Sequence, residues 1–139
     1  MKAGTDHWLG TAEYDFDTAK DMLKSGRYVY VVFMCHLSTE KLLKGAVVEF
    51  TEIEAPPKIH DLNRLAEIAK LELTEEQNVF LKKLTLQQQK TLYPDDVKEL
   101  GRSYPKEYAQ EILKQTKEFR EWLLPGIKSA GSSETSSEP

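Results

Sequence analysis

The chain has 139 residues, 40% of them hydrophobic, with 19 basic and 23 acidic side chains and a formal net charge of −4. That length suits one domain burying roughly two-thirds of its unfolded surface, and its single cysteine excludes an internal disulfide and a thiolate metal cluster. The slight acidity excludes a chain-wide basic face for nucleic acid, and no apolar run approaches the ~20 residues of a membrane span.

Asp6, Glu13, Asp15 and Asp17 are unlike the start of a signal peptide, so a cytoplasmic protein without membrane association is expected. Thr5 or Asp6 is expected to cap a first helix that runs to about Lys24. Trp8, Ala12, Phe16, Ala19 and Leu23 recur at threes and fours and form its apolar stripe, while His7, Thr11, Asp15, Thr18 and Asp21 lie on more polar rows. Ser25-Gly26 ends the helix, and the short turn folds the next one back antiparallel.

The stretch from Arg27 to Phe50 is too long and too irregular in its apolar spacing for a strand and is predicted as one helix. Val29, Val31, Val32, Phe33, Met34, Leu37, Leu42, Leu43, Val47 and Val48 point nearly all round it, which places it in the middle of a bundle. Cys35 inside that envelope reads as a buried structural thiol. Ala55-Pro56-Pro57 stops the helix, because proline cannot continue the backbone hydrogen bonding.

A short helix over about 61–71 follows, favoured at its start by Asp61, with Leu62, Leu65, Ile68 and Ala69 inward. Thr74-Glu75-Glu76-Gln77 matches a capping box and opens a further helix with Val79, Phe80, Leu81, Leu84 and Leu92 as apolar contacts, closed by Pro94. After a loop from Pro94 to Pro105, a last helix is expected from about Lys106 to Leu124, with Tyr108, Ile112, Gln115 or Thr116, Phe119, and Trp122 with Leu123 as its stripe and Pro125-Gly126 as its stop. The predicted fold is all-α, an up-and-down antiparallel bundle of four long helices and one short one over residues 1–126. Residues 127–139, rich in Ser and Glu, are expected to be a disordered tail.

His36, Glu40, Lys41 and Lys44 carry the main chemical signal. His36 and Glu40 are one turn apart and can share a hydrogen bond, and Glu40 can pair with Lys44. A buried carboxylate needs a partner, so the group reads either as a polar groove offering Lys41 and Lys44 to phosphate or an acidic partner, or as a satisfied internal pair with two snorkelling lysines. His60, after the Pro-Pro turn, is an acid–base candidate or a loop residue. Arg102 with Tyr104 and Tyr108 reads as a nucleotide-contacting cluster or a solvated loop. Tyr28 and Tyr30 read as bundle or subunit-contact aromatics. No Glu-x-x-His motif, Gly-rich phosphate loop, zinc-hydrolase helix or Gly-x-Ser-x-Gly elbow is present.

Taken together these pieces resemble the HEPN family, the higher eukaryotes and prokaryotes nucleotide-binding domain, from about Trp8 to Trp122. The resemblance rests on the Trp8, Ala12, Asp15, Ala19 spacing, the Gly26-x-Tyr28 turn and the Glu40-Lys41 and Lys44 signature. Pro56-Pro57 with His60 and Leu62, and Tyr93-Pro94-Asp95, complete it. It implies a helical bundle that self-associates, commonly as a dimer, and partners a small nucleotidyltransferase in toxin–antitoxin-like pairs, with nucleotide or RNA as possible ligands. Some members are metal-independent ribonucleases using Arg, four to six residues, then His. None of Arg27, Arg64, Arg102 and Arg120 is followed by histidine at that distance, and Leu92 stands where the family's R-Y-P-D element has arginine. The expectation is therefore a non-catalytic module, free of metal and cofactor, with His36, Glu40, Lys41, Lys44, His60, Tyr93, Asp95 and Arg102 facing ligand or partner. The alternative is a ribonuclease toxin with a variant site, built on Arg102 and Tyr108 or on His36 and His60.

Overall fold

The structure is a computed structural model and describes residues 1–91 and 104–136. Within them lie helices α1 (Ala3–Lys24), α2 (Tyr28–Phe50), α3 (Leu62–Ile68), α4 (Glu75–Thr91) and α5 (Lys106–Ser136). Four are long and one is short, and the packing is antiparallel, as the periodicity predicts. Helix α2 touches each of the other four, α1 also meets α5, and α3 meets α4. Its all-round apolar surface explains that position, since Val31, Val32, Leu42, Leu43 and Val47 would otherwise face water. Phe33, Met34 and Leu37 are only partly covered.

The turn between α1 and α2 is a Schellman motif. The Gly26 amide donates to the Leu23 carbonyl and the Arg27 amide to the Met22 carbonyl, with Gly26 at φ +78°. Helices α1 and α2 pass closely at Gly45, where an added Cβ would lie 3.2 Å from Leu9 Cδ2. The capping box before α4 forms both its bonds, Gln77 amide to Thr74 Oγ1 and Thr74 amide to Gln77 Oε1. Asp61 caps α3 through the Arg64 amide.

Several boundaries differ from expectation for identifiable reasons. Thr5 and Asp6 do not cap α1, which starts after Lys2; Thr5 is buried and donates to Glu49 Oε1 at 2.9 Å. Helix α3 stops at Ile68, because Lys70 takes a left-handed conformation at φ 61° and its amide and that of Leu71 turn back onto Glu67 and Ala66. A lysine there gives no glycine signal to read.

Helix α5 does not end at Pro125-Gly126 but continues to Ser136. Proline removes one amide donor, yet the carbonyl it would have served belongs to exposed Glu121, where water can replace the bond. Beyond the proline, Ile127 is fully buried and holds the helix against the bundle. Trp122 and Val79, expected in the core, are instead exposed, and Thr116 rather than Gln115 faces inward. The expected closure of α4 at Tyr93-Pro94 and the contact of Leu92 lie outside the described residues. No helix among the described residues is long and apolar enough to cross a membrane.

Candidate functional site

His36, Glu40 and Lys44 follow at intervals of four along α2 and so share one face. All three are buried, at 0%, 4% and 7% exposure, in a region where an unpaired charge would be costly. The structure resolves that cost internally. Glu40 Oε2 accepts from Lys44 Nζ at 3.1 Å, and Glu40 Oε1 accepts from His60 Nδ1 at 2.7 Å. Lys44 Nζ also lies 5.5 Å from the centre of the Trp8 ring on α1, a cation–π contact. His60 arrives from the connection between α2 and α3, and its side chain stays 61% exposed over the buried carboxylate.

The His36–Glu40 hydrogen bond that helical spacing allows does not form: Nδ1 and Oε1 stand 4.0 Å apart. The ring is engaged elsewhere, with Nε2 at 3.0 Å from the backbone carbonyl of His60. A carbonyl only accepts, so Nε2 carries the proton and donates. Nδ1 of the neutral ring is then a bare, buried acceptor, and it has no hydrogen-bond partner among the described residues.

Burial pulls the His36 pKa below its ordinary value, outweighing the opposing effects of the His60 carbonyl and the Glu40 charge. An unfolded chain therefore takes up a proton near the ordinary histidine pKa that the folded protein refuses. Stability should fall as pH drops through about 6.5, by up to about 1.4 kcal/mol per pH unit. Urea unfolding of the wild type and of His36→Gln between about pH 7.5 and about pH 5.5 checks this, the variant lacking that part of the slope.

Lys41 points to another side of α2, where its Nζ is 2.5 Å from Asp15 Oδ2 of α1. The constellation read from sequence thus divides: His36, Glu40, Lys44 and His60 form one connected cluster, and Lys41 joins α2 to α1. Tyr93, Asp95 and Arg102 lie outside the described residues. Tyr104 is buried, and its hydroxyl donates to Gln87 Oε1. Tyr108 accepts from Gln87 Nε2 at 3.3 Å. Desolvation pushes the Tyr104 pKa up to about 12. Tyr108 of α5 and Tyr104 just before it are thus tied to α4 rather than offering open stacking faces. Cys35 is buried too, its thiol pushed up to about 12 by desolvation.

Residue spacing assigned no partner to Asp15 or Glu49. Asp15, read on a more polar row, is buried at the edge of the apolar stripe, three residues after Ala12 and four before Ala19, and a carboxylate bordering such a stripe is itself the signal of a partner. Glu49 shows no such local cue, because its partners are Thr5 and the Lys2 amide, far away in sequence.

Chemically, the cluster fixes one imidazole at the surface. Glu40 holds Nδ1–H of His60 and leaves Nε2 unengaged among the described residues, so that nitrogen can accept a hydrogen bond or a proton. Among the described residues, no three His, Cys, Asp or Glu side chains gather closely enough to hold a metal ion. No curated protein and no solved structure matches the chain. A family model described as the HEPN domain matches residues 5–127, nearly the whole bundle with the His36–Glu40–Lys44–His60 cluster inside it, and the chain belongs to that family.

Proposed function

We propose that the chain is a binding module that self-associates and engages a small nucleotidyltransferase or a nucleotide-like ligand, as half of a toxin–antitoxin-like pair. The observation that carries this reading is the internal neutralisation of the cluster. Both Glu40 oxygens and the Lys44 ammonium are satisfied within the bundle, so the site presents one ordered imidazole edge instead of a set of open charges. Recognition through a rigid, partly exposed group over a closed core suits contact with a partner. The exposure of Tyr14, Tyr30 and Trp122 on three helices adds apolar surface for such contacts.

One observation favours a second reading, a ribonuclease with a variant site. A histidine whose Nδ1–H rests on a buried carboxylate has the orientation required of a general base acting through Nε2. Incubating the purified protein with RNA, beside a His60→Ala variant, separates the two. The binding-module reading expects no cleavage above background from either protein; cleavage lost in the variant would establish the nuclease. Sedimentation of the wild type tests self-association, and a strictly monomeric species across the micromolar range counts against it.

A further inference from the structure

Helix α4 packs on the core through Phe80, Leu81 and Leu84, yet along α5 it leaves a cleft of about 360 Å³. The Phe80 and Phe119 rings, 6.1 Å apart, form its floor. Glu76, Val79 and Lys83 line it together from α4, so they share one face. Val79 is 55% exposed, and Leu86, two turns further along the same stripe, is 49% exposed. On the α5 side Gln115 Oε1 is buried without a hydrogen-bond partner among the described residues.

The order of charge along this face is self-complementary. Glu76 and Lys83 flank the Val79–Phe80 pair at equal distances and are separated by roughly 10 Å of helix rise. If a second α4 is laid antiparallel about a two-fold axis beside Val79, each Glu76 faces the other copy's Lys83. The exposed valines then meet at the centre, and no like charges in this set oppose. A two-fold interface uses the same patch on both copies, and one helix face that supplies acid, apolar centre and base in this order meets that requirement alone. The net charge of −4 disfavours association in general, so a contact between copies needs local pairing of this kind.

We infer that two copies of this chain associate through α4, packed antiparallel with Val79 at the two-fold axis and Glu76 of each copy paired with Lys83 of the other. This rests on the self-association proposed above and names its surface.

Sedimentation equilibrium of the full chain tests it with Glu76→Lys, Lys83→Glu and the double variant. Each single change sets like charges against each other twice and should weaken association about tenfold or more, and the double change should restore it. Val79→Cys should give a disulfide-linked dimer under mild oxidation, because the native Cys35 is buried and does not compete. Wild-type association with single variants that associate equally well overturns the α4 face and leaves self-association standing. Weakening by both single changes without rescue by the double overturns the antiparallel register. Failure of Val79→Cys to cross-link where the wild type associates overturns the placement of the axis. A monomeric wild type overturns both this interface and the reading beneath it.

Discussion

Replacing Glu40 with alanine is expected to destabilise the protein by about 3–5 kcal/mol, the range for breaking a buried ion pair from one side. The loss would come less from the bond itself than from what it leaves behind. Lys44 is 7% exposed and would keep a buried ammonium against the Trp8 face without its carboxylate. His60 would lose the acceptor of its Nδ1–H. The paired change Glu40→Leu with Lys44→Met should recover most of the stability, because removing both charges costs far less than orphaning one. Urea unfolding of the three proteins gives the comparison directly. A Glu40→Ala loss under about 1 kcal/mol would mean that Lys44 reaches water by rearranging its side chain.

Ile127→Ala is the second change with a large expected effect, about 2–5 kcal/mol, by creating a cavity at a fully buried position. Its interest lies in where the residue sits. Read from sequence, position 127 belongs to a polar tail and its substitution should be silent. In the structure it is the anchor of α5 beyond Pro125. An exposed neighbour such as Lys128→Ala should change stability by no more than about 0.5 kcal/mol, which makes the pair a direct measurement of how far the bundle extends.

The contrast shows what kind of information the residues carry. The core of α2 was legible because its apolar side chains outnumber what one face can hold. The capping box at Thr74 and the glycine turn at Gly26 were legible because each is a local geometric rule. Pro125 misled because a proline is a strong local breaker, while the compensating burial of Ile127 is a tertiary effect that no neighbouring residue announces. Lys70 misled in the opposite way, ending α3 early without any residue that favours a left-handed backbone.

In the site, the i,i+4 rule brought both Lys44 and His36 beside Glu40, but only Lys44 makes a hydrogen bond to it; His36 Nδ1 stands 4.0 Å away. Spacing states only which side chains can meet. The approach of His60 from the next connection decides which do, by offering a closer donor to Glu40 and a carbonyl to His36. The Asp15–Lys41 pair was not legible: Asp15 read as one of the polar positions of α1, and its partner could be assigned only once α1 lay against α2.

One residue, His60, fastens the span between α2 and α3 to the rod beneath it twice, once by its ring and once by its main chain. Whatever lifts that span as a whole would strip the acid of its imidazole and the inner ring of its carbonyl in the same motion, so a change at the surface here reaches the interior directly.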